Sequence, residues 1–421
     1  MPKVIRDMLG RQGLTRVDEA LAILLARLGT VAPQTDTVPL ASALDRITAG
    51  RIVSPEDLPT HARSTMDGFA VQAVDTFGAS ESMPVYLRIT GKIAMGEQPA
   101  QMIERGCCAQ IPTGGLLPPG TDAVVMLEHT VPIDESMIEI VKAAGVGANL
   151  IAPGEDIGKN GQALPAGHRL RPQDLGLLAG LGLDQVEVCR RLTVGVLSTG
   201  DEIVPHTEVP PPGKVRDING ITLSALIRRA GAKATLYGIV SDRKEIFFPA
   251  VEKAVSENDL VLFSGGSSVG MRDLGEQAIA SLGNPGILVH GVALKPGKPI
   301  IIGLTGTTPI FGLPGHPVSA MVCFELFVEP TIRRLSGLAA PDVFPRAVVL
   351  ARLARNINSA PGRRDLIRVQ LSRAATGWVA DPVLGKSGAI TTISRAHGYF
   401  LIDEDSQGFT QDTEVEVTLY L

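Results

Sequence analysis

Apolar and polar positions fall into three textures along this chain. From Thr15 onward, Val17, Leu21, Leu24, Leu25 and Leu28 recur at helical spacing, Asp18 and Glu19 suit the positive first turn, and Gly29 ends the run. Thr15 is placed to cap this helix, and a short second helix fits residues 40–45. Between 52 and 140 the runs become short and β-rich, at 85–89, 107–111, 123–126 and 137–141, with Gly or Pro between them, which predicts a small β domain. Residues 145–190 hold a Pro153-Gly154-Glu155-Asp156 turn and a helix near 172–181. They are expected to pack back on the N-terminal helices, which makes the β domain an insertion.

The third texture alternates strand with helix. Strands fit 193–197, 235–240, 260–263, 287–294, 300–304 and 310–312; helices fit 219–229, 243–256, 272–282 and 317–335. This alternation predicts a central doubly wound, mainly parallel α/β sheet with ligands at the carboxyl ends of its strands. Pro317 sits where a helix tolerates proline, near its first turn. After Pro345 short strands and glycine turns return, predicting a small barrel-like β domain. The division expected is 14–51 with 145–190 as an elongated N-terminal domain, 52–144 as the inserted β domain, 191–338 as the α/β domain and 343–421 as the tail.

Composition narrows the classes. A chain of 421 residues holds about three or four domains. A net charge of -5 argues against a nucleic-acid surface. No apolar run approaches the roughly 18 residues of a membrane helix, and residues 1–13 are charged, so neither a span nor a signal peptide is expected. Cys107, Cys108, Cys189 and Cys323 lack C-x-x-C spacing and read as buried thiols of a reducing compartment, the cytoplasm. The histidines form no zinc motif.

Candidate chemistry lies in the loops. The apolar run 260–263 stops at Ser264-Gly265-Gly266-Ser267-Ser268, and a helix follows with Asp273 at its mouth. Strand, glycine loop and helix N-terminus make an anion site. A carboxylate beside a phosphate requires a cation between them, so Asp273 points to Mg²⁺. The loop is neither a Walker A motif nor G-x-G-x-x-G. Four more polar loops are expected to follow strands of the same sheet. They are Ser198-Thr199-Gly200-Asp201-Glu202, Arg216-Asp217-Ile218-Asn219, Lys295-Pro296-Gly297-Lys298 and Gly312-Leu313-Pro314-Gly315-His316. Each has a bland alternative: a helix cap for Asp217 or Asn219, solvated surface for the lysines, a polar turn for Asp201-Glu202, a cap or packing role for His316.

Together with Met66-Asp67-Gly68, Pro112-Thr113-Gly114, Gly154-Glu155-Asp156 and Ser387-Gly388, these motifs resemble the molybdopterin molybdenumtransferase family. The likeness is to the MoeA type, which includes the E domain of gephyrin, and it covers nearly the whole chain. It implies an elongated homodimer with an active site shared between subunits. It implies the last step of molybdenum cofactor synthesis, in which molybdate is inserted into adenylylated molybdopterin with release of AMP and with Mg²⁺. By motif match it implies Asp67, Thr113, Asp156, Glu202 and Asp273 as catalytic residues, with Glu202 and Asp273 on the metal. It further implies Ser198, Thr199, Gly200, Asp217, Asn219, Ser264, Gly265, Gly266, Ser268, Lys295, Lys298, Pro314 and Ser387 as substrate- or phosphate-binding positions. A molybdopterin adenylyltransferase is the implied upstream donor, and molybdoenzyme chaperones are further candidate partners.

The chain departs from the family pattern at several framing positions. His316 stands where Asn is usual, Gln110 where Arg is usual, and Met271 where an acid or polar residue is usual. Other readings therefore stay open: a pterin-binding scaffold without turnover, a tungstate-preferring variant, and a hydrolase of another nucleotide on the same α/β domain.

Overall fold

The computed structural model describes residues 5–6, 13–29, 32–265, 269–339, 346–375 and 377–420. Helix α1 (Val17–Leu28) forms as the spacing predicts and ends at Gly29, whose φ of 61 suits a residue without Cβ. Thr15 does not cap it. Arg16 takes the cap position without a side-chain bond, and Thr15 instead pairs with the 291–293 backbone. The expected second helix shrinks to a single 3₁₀ turn, Leu40–Ser42.

The central sheet contains β1 (Thr193–Thr199), β2 (Lys233–Val240), β3 (Leu260–Gly265), β4 (Pro285–His290), β5 (Ile301–Thr305) and β6 (Thr308–Leu313), with α2 (Asn219–Arg229), α3 (Lys244–Glu257) and α4 (Val269–Ser281) between the earlier strands. Their order is β2-β1-β3-β6-β5-β4; the first four run parallel, and β5 and β4 close one edge antiparallel. The strand order reverses between β1 and β3, the position where open α/β sheets hold their ligands. β1 and β3 are buried along almost their whole length, which explains their unbroken apolar runs.

One face of the sheet is covered by α1, α2 and the terminal helices, through Leu24, Leu223, Ile227, Phe324 and Phe327. The other face is covered by α3 and α4, through Phe247, Val251 and Ile279. Phe247 meets Phe263 edge-on at 5.4 Å, worth about 0.5–1.5 kcal/mol beyond the area buried. The helix expected over 317–335 is interrupted: α5 (Pro317–Cys323) passes through a π turn, Phe324–Val328, into α6 (Glu329–Leu335). The π turn carries Glu325, buried with Arg346 at 2.5 Å and Arg229 at 3.2 Å.

N-terminal to this sheet, three short antiparallel pairs form a ladder. Thr35–Pro39 pairs with Gln185–Cys189, Ile52–Val53 with Gln162–Leu164, and Arg63–Ser64 with Leu150–Ile151. Beyond its last rung lies a six-stranded sheet with Phe69, Val71, Leu87, Ile138 and Ile140 in its core. At the other end of the chain, Val348–Leu353, Arg364–Ala374, Gly377–Pro382, Gly398–Ile402 and Glu414–Leu419 close into a five-stranded barrel. It closes because Arg364–Ala374 pairs on both sides.

No helix among the described residues is long and apolar enough to cross a membrane. All four cysteines are buried free thiols, and burial pushes that of Cys108 up to about 12.

Candidate functional site

The carboxyl end of β1 is held by its own polar groups. Ser198 Oγ donates to Asp217 at 2.8 Å, and the other Asp217 oxygen accepts from the Gly220 amide at 2.8 Å, so Asp217 both straps β1 and caps α2. A Cβ on Gly220 would stand 2.4 Å from the Asp217 carboxylate; only glycine admits this approach. The buried Asn219 donates from Nδ2 to Ser264 Oγ at 2.6 Å and to the Gly315 carbonyl at 2.9 Å. It thereby ties the ends of β3 and β6 to α2. Its Oδ1 finds no donor among the described residues. A buried amide oxygen left in this state favours a ligand that brings a donor.

Beside this knot lies an acidic edge. Thr199 Oγ1 donates to Asp242 at 2.7 Å, and Asp201 accepts from Ser241 Oγ at 2.9 Å. Burial, together with the charges of Asp201 and Glu202, raises the Asp242 carboxyl above its ordinary value. Glu202 is exposed and folds back over Gly200. Asp242 is absent from the residues predicted on sequence. The signal was available, since it ends a strand as the other candidates do, but Ser241-Asp242-Arg243 reads equally as a helix start.

A cleft of about 500 Å³ opens across the ends of β3 and β6. Lys295, Lys298, Pro314, His316 and Ser387 line it, as does Arg363, which the sequence reading missed. Its lining includes two lysines and an arginine and no carboxylate. The size suits a small organic ligand, and the charge suits an anionic one. Ser387 Oγ and His316 Nδ1 stand 2.9 Å apart, so the family's usual Asn is replaced here by a residue tied to the tail.

Three expectations are corrected. The lysine loop does not follow a central strand: β4 ends at His290, and Leu294–Lys295 pairs parallel with Arg364–Asp365 of the tail barrel. The Asp217 loop follows only a two-residue strand, Val215–Arg216, outside the central sheet. So β1, β3 and β6 carry loops at their own ends, and the other two loops reach the rim from elsewhere. Helix α4 begins at Val269, earlier than the 272 expected, which puts Asp273 in its second turn and not at its mouth. Asp273 is exposed and forms no hydrogen bond or ion pair among the described residues. Gly266 and Ser268 lie outside the described residues.

Asp67 and Thr113 meet each other. Asp67 Oδ1 accepts from the Thr113 amide at 2.7 Å and its hydroxyl at 3.0 Å, and these bonds hold the Asp67 carboxyl below its ordinary value. Asp156 sits in an exposed turn whose backbone bonds Leu58 at 3.1 Å. None of these bonds reaches the α/β domain. Among the described residues, no three His, Cys, Asp or Glu side chains gather as a metal cage.

Comparison with known proteins agrees along the chain. Residues 15–182 match the MoeA N-terminal region (domain I and II), 195–334 a probable molybdopterin binding domain, and 350–420 the MoeA C-terminal region (domain IV). A putative molybdopterin biosynthesis protein of Methanocaldococcus jannaschii is 35% identical over 91% of each chain. A molybdopterin molybdenumtransferase of Staphylococcus epidermidis is 32% identical over 90% of each. A crystal structure of a MoeA molybdopterin biosynthesis protein from Pyrococcus horikoshii superposes with a TM-score of 0.81 at 37% identity, covering 96% of this chain and 99% of that one.

Proposed function

Because the chain belongs to the MoeA-type molybdopterin molybdenumtransferase family, we propose that it inserts molybdate into adenylylated molybdopterin with release of AMP, the last step of molybdenum cofactor synthesis. The observation that carries this reading is the cationic cleft at the carboxyl ends of β3 and β6. Lys295, Lys298 and Arg363 line the space where a phosphoanhydride and an oxyanion need positive charge. The Asn219 bonds to Ser264 and to the Gly315 carbonyl hold the ends of β3 and β6, whose Gly265 and Gly315 line that cleft.

Magnesium fits the acidic edge. This ion is normally held by one or two carboxylates with substrate phosphate oxygens and water, so no complete protein cage is required. Glu202 and Asp273 would hold it, joined by Asp242, whose carboxyl is raised by burial and by the charges beside it. When bound, the ion offsets negative charge on the phosphoryl oxygens. Asp67 and Thr113 lie beside strands of the six-stranded β sheet and Asp156 in the turn that follows it, and none lines the cationic cleft. In this reading they reach the catalytic cleft of a second copy, giving a homodimer with two shared sites. The enzyme then works in the cytoplasm downstream of a molybdopterin adenylyltransferase, and molybdoenzyme chaperones receive its product.

Incubation with adenylylated molybdopterin, magnesium and molybdate should release AMP and yield a cofactor that reconstitutes a molybdenum enzyme. Tight pterin binding without AMP would instead identify a scaffold, and the absence of both AMP release and pterin binding would defeat both readings.

A further inference from the structure

We propose that a cavity between the tail barrel and the lysine loop binds a small organic carboxylate. It has a volume of about 300 Å³ and adjoins the cationic cleft, with which it shares Lys295, Pro296 and Ser387. Its other walls are the barrel strand at 365–368 and the loop at 383–387, which follows Gly377–Pro382.

Arg368 fixes the head of the ligand. Its residue is 6% exposed, yet among the described residues it forms no ion pair. Its one side-chain hydrogen bond there runs from Nη2 to the Gly385 carbonyl at 3.4 Å, and Gly385 is part of the cavity wall. The guanidinium is thus turned towards the cavity. Its Nη1 is neither hydrogen-bonded nor sealed from solvent. Burial holds the group below its ordinary pKa, with no carboxylate paired to it to offset the lost water. A buried charge without a partner is costly, and a bound anion removes that cost. The planar fork matches the two oxygens of a carboxylate.

The remaining lining selects the class. Asp365 lines the cavity too, where it accepts from Lys295 at 2.9 Å and from Ser359 at 2.8 Å. Its charge offsets that of Lys295 and disfavours a dianion, so the head is a monoanion. Lys386 is exposed and draws anions towards the opening. Pro296, Leu366, Val383 and Leu384 add apolar surface, and Leu384 is 61% exposed. A lone oxyanion would leave most of this volume and all of this apolar surface unused. An aliphatic or aromatic tail fills the one and covers the other. Binding here does not depend on which reaction the cleft performs, so a direct titration is the test.

The full chain is titrated calorimetrically with 4-methylpentanoate, with 4-methylpentanamide and with inorganic phosphate, against chloride of equal ionic strength. The carboxylate should bind, and the amide, which keeps the tail and loses the charge, should not. Arg368→Met should weaken the carboxylate about tenfold or more, the effect of one charged hydrogen bond. Leu384→Asp places a repelling charge at an exposed position and should weaken it as well. Melting curves in chloride report that both variants are folded, and Leu384→Asp decides alone if Arg368→Met is not. Lys298→Ala, which touches only the cleft, should leave the isotherm unchanged. No isotherm for the carboxylate, equal binding of the amide, or binding that Lys298→Ala abolishes while Arg368→Met and Leu384→Asp leave it unchanged overturns the proposal. So does phosphate that binds more tightly than the carboxylate and is lost in Arg368→Met, since the ligand would then be a phosphoryl group.

Discussion

The ammonium of Lys295 donates to the buried carboxylate of Asp365 at 2.9 Å, across 70 positions of sequence. Asp365 also accepts from Ser359 Oγ at 2.8 Å, so the barrel supplies a prepared anchor. A cleft lysine is thus aimed by the tail domain, through the parallel pairing of Leu294–Lys295 with Arg364–Asp365.

Asp365→Asn keeps an acceptor for Ser359 and removes the charge that holds Lys295. A charged hydrogen bond is worth about 1.5–3 kcal/mol, so molybdate-dependent AMP release should fall by roughly tenfold or more. Steady-state kinetics at varied molybdate checks this. Wild-type kinetics would mean that Lys295 is positioned without its anchor.

Asp67 and Asp273 should act from different chains. Inactive Asp67→Ala and Asp273→Ala chains, mixed and re-equilibrated, give about half mixed dimers by random pairing. In each mixed dimer one site carries both lesions and the other none, so activity should return to roughly a quarter of wild type. Background activity after verified subunit exchange would place each site within one chain.

Asp242 gives a pH signature. Its carboxyl is raised in the folded state, so its ionised form opposes folding. Wild-type stability from this group falls as pH rises from the unfolded value of about 4 through the raised folded value. Asp242→Asn, whose amide oxygen can still accept from Thr199, should therefore melt above wild type at pH 7. The gap should close below about pH 4, where the carboxyl is protonated in both states. Thermal melts of the apo proteins across this range decide it.

Glu325 is buried between Arg346 and Arg229. Glu325→Gln leaves buried guanidinium charge uncompensated and should cost about 3–5 kcal/mol, read by denaturant unfolding. A loss below about 1 kcal/mol, the level of a surface pair, would show that water screens the network.

The βα alternation was legible because β1 and β3, covered on both faces, read as continuous apolar runs. Val17–Leu28 was equally plain from its one-sided spacing. Pairings of two residues, such as Arg63–Ser64 with Leu150–Ile151, carry no period, and nothing local announces them. The same limit hid the lysine loop's true partner, since Asp365 looks like an ordinary polar position within a strand until the barrel closes. Thr15 had the right chemistry for a cap but its backbone was recruited by residues 291–293. Arg363 gave no signal, because its neighbours in the cleft lie far off in sequence. Asp242 was legible and passed over.

The ladder's last rung has an engineering consequence. Ser64 and Leu150 face each other as strand partners, and the Thr65 amide bonds the Asn149 carbonyl at 2.9 Å. The chain thus leaves and returns through adjacent backbone, so a two-residue hairpin in place of everything between would join ends already in register. The six-stranded sheet is in that sense a removable module, and the excised chain would retain the whole central sheet, its cationic cleft and the barrel.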